Sequence, residues 1–301
     1  MPNPVAHPLA VPVVTGTTVT VDVLLNDPTR ITRAVTVLSN EKFLASRIFS
    51  NGGSVAGGAV LYDEVTSSDL YGDRKAQEVA PLAEFPVLSA PRRAPKVARV
   101  SKYGGKWPTS DEAKQRNNTQ VFDRELRLHT NGIIRDDDLR AMAVVEASIA
   151  AQGGALVFVG ANWNNVITAG SLASTNSAYP HADLARAQGY AEVDGLGVQY
   201  DTLIVHTNQA VTLRTLYKGD LADVLADQGF TGGLFSSPRM TPGTAYVVAA
   251  GQMGQRRIEK PLGTEVWREP GVQATWTQLD QRSVLFADFP YAIRKITGLA
   301  G

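Results

Sequence analysis

Three carboxylates in a row, Asp136, Asp137 and Asp138 in the stretch RDDDLR, are the residues best suited by type to hold a hard divalent cation. A cation site needs its oxygens to converge. On a helix successive side chains turn by about 100°, so these three fan over most of the circumference and read as a solvated face. The four histidines (His7, His129, His181 and His206) lie far apart, and none has a second ligand at metal-binding spacing. His206, inside the apolar run TLIVHT, reads as a hydrogen-bonded core residue. There is no cysteine, hence no thiolate zinc site, no disulfide framework and no thiol nucleophile. Neither G-x-x-x-x-G-K-[ST] nor G-x-G-x-x-G occurs, so no standard phosphate cradle is present. Ser54, in GGSVAGG, has the wrong glycine spacing for a nucleophile elbow. The expectation is a protein without catalytic residues, metal or cofactor. A soluble α/β hydrolase or transferase would need a convergent polar pocket that no motif announces.

What the chain does offer is charge in blocks. Residues 91–106, PRRAPKVARVSKYGGK, carry Arg92, Arg93, Lys96, Arg99, Lys102 and Lys106 and no acid. The whole 301-residue chain has 29 basic and 29 acidic residues and a net charge of zero. From Asp63 to Glu84, six acids (Asp63, Glu64, Asp69, Asp73, Glu78 and Glu84) outweigh two bases, for a local net charge of −4. A neutral chain is not a general nucleic-acid coat. The aromatic interleaving of a base-stacking groove is thin, with only Tyr103 and Trp107, and Val97 and Val100 alternate with the charges as in a strand. The two blocks complement each other, and the basic block of one copy is expected to meet the acidic limb of an adjacent copy. Offset contacts of this kind use two different surfaces of identical subunits, which is how rings close.

The elements that would carry these blocks can be read in order. Residues 1–45 form an extended arm, rich in β-branched residues and broken by prolines. It has no positively charged leader region, and no run of about 18 apolar residues exists to span a membrane. The acidic limb has glycines at one root (NGGSVAGG) and Pro81 and Pro86 at the other, a long two-stranded excursion that cannot bury its apolar residues alone. Thr109 with Glu112 three residues on makes a capping box, opening helical texture that lasts to about Gln152. Asn117-Asn118 and Asn131-Gly132 are the candidate bends, with two stacked helices as the alternative. From residue 155, strands (ALVFVG, TLIVHT, TAYVVAA) alternate with helices (YPHADLARAQGYAEV, QAVTLRTLY, DLADVLAD), and the tail is mostly strand.

Two stretches carry a resemblance. EVAPLAEFPVLSAPRRAPKVARVSKYGGKWPTSDEAKQRNN (78–118) resembles the limb, basic strand and helix start of tailed-bacteriophage major capsid proteins, with its VAP-x-AEFP, K-x-GG-K and T-x-[DE]EA cadence. EKPLGTEVWRE and FADFPYAIRKITGL are similar to the closing strands of the same family, most of all in siphophages of actinobacteria. The resemblance implies an α+β chain of the Hong Kong 97 fold. It would have an N-terminal arm (1–45), an E-loop (46–90), a peripheral-domain strand and spine helix (91–152), an axial domain (153–257) and a return to the peripheral domain (258–301). It further implies an icosahedral shell of hexamers and pentamers around double-stranded DNA, contacted non-specifically, assembled in the bacterial cytoplasm and lodged in the virion. A separate scaffolding protein, a portal and a decoration protein are the implied partners, with no membrane. The arm beginning at Met1 suggests a chain without a cleaved scaffolding segment. An encapsulin-type nanocompartment shell is the alternative of the same fold, though such chains usually open with a cargo-holding helix.

Overall fold

The structure is a computed structural model that describes residues 14–15, 18–19, 31–33, 44–66, 69, 78–87, 94–116, 119–171 and 173–300. Alternating apolar residues in the tail build a long hairpin, β11 (Gly254–Glu269) with β12 (Ala274–Phe286), closed by the turn Pro270–Val272. Two further strands complete a four-stranded sheet in the order β3-β11-β12-β6, where β3 is Phe49–Ser54 and β6 is Ser101–Ser110. Pro261, which has no N–H to give a ladder, lies where the β11–β12 register shifts, between Lys260 and Gly263. The arm lies mostly outside the described residues. Of its described parts, β1 (Val14–Thr15) pairs with β2 (Thr18–Val19), and Ile31 is buried against Trp107, Leu126 and Leu279 of the sheet and helix.

Ser110, one residue after the expected Thr109, caps the helix that follows β6: its Oγ accepts from the Ala113 N–H at 3.2 Å. Thr109 is instead buried in β6, because alternation along that strand turns Trp107 and Thr109 inward. A short helix, Asp111–Gln115, ends before the segment holding Asn117-Asn118, and a second of 33 residues, Thr119–Ala151, follows. At about 1.5 Å per residue it spans roughly 50 Å. It runs without a break through Asn131-Gly132. Gly153 and Gly154, at φ 62° and 89°, end it in the left-handed region that glycine tolerates.

A five-stranded sheet in the order β7-β13-β10-β8-β9 holds the main core. Its strands are β7 (Val157–Val159), β13 (Ile293–Thr297), β10 (Ala245–Val248), β8 (Thr202–His206) and β9 (Gly233–Ser237). Helices Pro180–Asp194, Thr207–Tyr217 and Leu221–Asp227 pack apolar side chains such as Leu184, Leu213 and Leu225 onto it. The expected return of residues 258–301 to one domain therefore divides. β11 and β12 join the four-stranded sheet, while β13 crosses into the five-stranded sheet between β7 and β10. The physical reason is burial on both faces: Ile293 and Ile296 are fully enclosed, which an outer strand cannot offer.

Candidate assembly interface

The limb rises from a two-stranded ribbon. β4 (Ala59–Tyr62) pairs antiparallel with β5 (Lys96–Arg99), so Val60 meets Ala98 on one face and Leu61 meets Val97 on the other. The first face is rooted: Val60 is buried against Val284 and Phe286, and the Tyr62 ring lies 4.9 Å from that of Phe286. Val65 N–H donates to the Asp288 carbonyl at 2.7 Å. The second face is bare, with Leu61 and Val97 exposed. Residues 46–54 of the expected limb are not part of it, since they form the end of a short helix and β3, which lies in the four-stranded sheet parallel to β11. Farther out, Leu82, Phe85 and Val87 stand 108%, 78% and 75% exposed. With Val65, these make six large exposed apolar side chains on one excursion, more than a lone soluble subunit needs to show.

Of the twelve charged residues expected at the contact, Arg92, Arg93 and Asp73 lie outside the described residues. Lys96 and Glu64 meet within the chain, Nζ to Oε2 at 2.5 Å, which fastens the ribbon's root. Asp69 is spent locally, accepting from the Thr66 N–H at 2.7 Å. Lys106 sits in the sheet with its ammonium 4.6 Å from the Trp276 ring and 5.9 Å from that of Trp267. Arg99 and Lys102 on the basic side, and Asp63, Glu78 and Glu84 on the acidic side, are exposed and form no ion pair among the described residues. Among the described residues the chain thus brings one pair of opposite charges together and leaves Arg99, Lys102, Asp63, Glu78 and Glu84 exposed.

The helix acids are corrected by the structure. Asp136 is exposed as expected, but Asp137 and Asp138 are buried. Asp137 accepts from the Tyr103 hydroxyl at 2.8 Å and pairs with Arg256 at 3.1 Å, with the Arg140 guanidinium 4.2 Å from the Tyr103 ring. Asp138 accepts from the Leu44 N–H at 2.8 Å and pairs closely with Arg239. Burial pushes the Asp138 carboxyl above its usual range, opposed by the Leu44 hydrogen bond and by Arg239. Two adjacent carboxylates therefore tie the long helix to the four-stranded sheet, to the turn after β9 and to the segment entering β3. His206 is only half-buried: it caps the helix Thr207–Tyr217, its Nδ1 accepting from the Asn208 N–H at 3.1 Å.

At the β6 edge of the four-stranded sheet, which pairs with no further strand among the described residues, lies a notch of about 370 Å³, lined by Lys102, Gly104, Gly105, Lys106, Gln278 and Asp280 among others. A side chain at Gly104 would come within 2.1 Å of the Leu279 carbonyl oxygen, whereas one at Gly105 would meet nothing within 4 Å among the described residues. Asp280, at its floor, is neutralised by Lys260, whose Nζ reaches both carboxylate oxygens at 2.8 and 2.9 Å. No motif marks this notch in the sequence beyond the two adjacent glycines between lysines.

Residues 93–296 match the family model described as phage capsid protein. No curated protein matches the chain. Among solved structures, that described as Microbacterium phage Oxtober96 is 12% identical, with 85% of this chain and 91% of that chain aligned at a TM-score of 0.60. Mycobacterium phage Bobi gives 12% identity, 84% and 89% coverage and a TM-score of 0.59. A virus-like particle from Pyrococcus furiosus gives 12% identity, 89% and 98% coverage and a TM-score of 0.57. At such identities the structures speak for the fold, which is the Hong Kong 97 fold. The family match spans about two-thirds of the chain and speaks for the function. A long helix pinned by buried acids, a bare apolar limb and complementary charge left facing outward are what a shell-forming subunit requires, and the chain belongs to the phage capsid protein family as a major capsid protein of the virion.

Proposed function

We propose that copies of this chain join head to tail, the acidic limb of one lying against the basic strand of the next, and that these contacts close the hexamers and pentamers of an icosahedral shell around double-stranded DNA. One observation carries the reading. Among the described residues Arg99 and Lys102 have no acidic partner while Glu78 and Glu84 have no basic one, all on surfaces that flank exposed apolar side chains. Exposed ion pairs give only about 0–1 kcal/mol each and are screened by salt, so the charges set register and encounter rate. Apolar burial of the limb supplies most of the affinity. Assembly takes place in the host cytoplasm on a separate scaffolding protein, with a portal and a decoration protein completing the particle, as the resemblance implies. The family assignment favours this shell over the cargo-holding encapsulin type.

Arg99→Glu with Lys102→Glu should leave the subunit folded by circular dichroism and sedimenting as a monomer, with particle yield down at least tenfold. Adding Glu78→Lys and Glu84→Lys should restore part of that yield. Normal particles from the double reversal would overturn the proposal. Normal particles that retain less DNA would assign the basic block to the genome.

A further inference from the structure

We infer that the limb's apolar segment 82–87 seats in the Gly104–Gly105 notch of the adjacent copy, Phe85 entering the cavity and Glu84 meeting Lys102 on its rim. This names the receiving site for the head-to-tail contact proposed above and rests on that reading.

The donor is shaped for insertion. Ala83 N–H bonds back to the Ala80 carbonyl at 3.0 Å, closing a turn with Pro81 and Leu82 at its corners. Leu82 is held at φ 69°, a left-handed corner that glycine favours and a branched side chain resists. A leucine kept in a left-handed corner and fully in water gains nothing inside its own subunit. Its place makes sense if the side chain is received by another surface. Pro81 and Pro86 restrict the backbone on both sides of Leu82, Glu84 and Phe85, so less freedom is lost on docking.

The receiver is shaped for acceptance. Gly104 must be glycine, because the β12 backbone lies against it, but at Gly105 no described residue comes within 4 Å of where a side chain would stand. An unfilled position on an edge strand, beside a cavity of about 370 Å³, is room enough for one phenyl ring. The rim is basic, with Lys102 unpaired among the described residues and Lys106 steadied over Trp276, and the floor acid Asp280 is cancelled by Lys260. A negatively charged, apolar peptide is the matching ligand, and the chain supplies one in LAEFPV. Phe85 stands exposed in the described subunit, so the segment does not fill the notch of its own chain. Phe85 is eleven residues from Lys96, so it can reach at most roughly 35 Å from the ribbon's end, enough to cross to a neighbour.

The chain has no cysteine, so an engineered disulfide can form only where it is placed. Chains carrying F85C are co-assembled with chains carrying G105C and treated with a mild oxidant. A mixed disulfide dimer, identified by peptide mass and absent from unassembled mixtures, is the expected product. A second variant, Gly105→Leu, fills the notch at a position with space for it. It should melt like the parent subunit yet associate at least tenfold more weakly. Particles without the mixed disulfide, or normal association of Gly105→Leu, would overturn the inference. If the charge reversals still block assembly in that case, the head-to-tail reading stands and only the docking site is lost. If they do not, the wider reading falls first.

Discussion

Asp138 shows how a charged side chain can serve as a joint. Its carboxylate is out of water, yet it holds the Leu44 N–H, at the head of the short helix Ala45–Ile48, and the guanidinium of Arg239 beyond β9. Removing one partner of a buried pair leaves the others desolvated and unsatisfied, at a cost of about 3–5 kcal/mol. Asp138→Ala should lose stability on that scale in urea unfolding of the unassembled subunit, and Asp138→Asn less, because the amide oxygen still accepts from Leu44. A second titratable group sits between sheet and helix. The His129 ring stacks on Trp107 at 4.5 Å, and burial holds its pKa below the usual 6.5. The unfolded chain therefore takes up a proton near 6.5 while the folded chain resists, and stability is lost as pH falls through that value. Melting between about pH 7.5 and about pH 5.5 should show the drop, and His129→Phe should flatten it. Neither role was legible in the sequence. RDDDLR reads as solvated because its partners, Tyr103 and Arg239, come from 34 and 101 residues away.

The helices were the most legible elements and also the ones whose details moved. Thr109 and Ser110 are both good capping residues, and sequence alone cannot tell which is the last of a strand. The ladder from Ser101 to Ser110 against β12 decides it, leaving Ser110 to turn the chain. Gly132 is the expected kink, yet the helix passes through it unbroken, with no described residue within 4 Å of where a side chain would stand. Gly132→Ala should then stabilise the subunit by about 0.5–1 kcal/mol, measured as a shift in denaturation midpoint. If the glycine is kept as a soft point for fitting differently curved positions, the same variant should form fewer closed shells despite its greater stability. Closed shells at normal yield would remove any role for Gly132 beyond the helix. The limb's ribbon was anticipated as an excursion needing outside support, and the exposed pair Leu61 and Val97 shows why: alternation places one apolar row on the subunit and the other away from it.

Zero net charge with separated blocks makes assembly tunable by salt. The Debye length is about 10 Å at 0.1 M, so raising salt from about 0.05 M to about 0.5 M should slow shell formation about tenfold while leaving the final yield nearly unchanged, as followed by light scattering. A collapse in yield would mean that charge, and not apolar burial, carries the affinity. The two ends of the family's scaffold were recognisable in the sequence because their proline, glycine and charge cadence is local. The sheet order was not, because strands with similar apolar content can join either sheet, and the tail was assigned as one piece. That β13 lies between β7 and β10 has a further consequence for how the subunit is made. A ribosome that has reached Phe286 has produced the limb, the long helix and the whole four-stranded sheet, but β7 still has no neighbour and the five-stranded sheet is split. The chain must be made through Thr297 before the main core can close. A nascent chain that has not yet passed Thr297 therefore cannot complete its main core, however much of the four-stranded sheet has already formed. A product terminated at Phe286 would keep the four-stranded sheet but leave β7 unpaired and Ala245–Val248 without its partner at Ile293–Ile296, so it should fail to bury the main core.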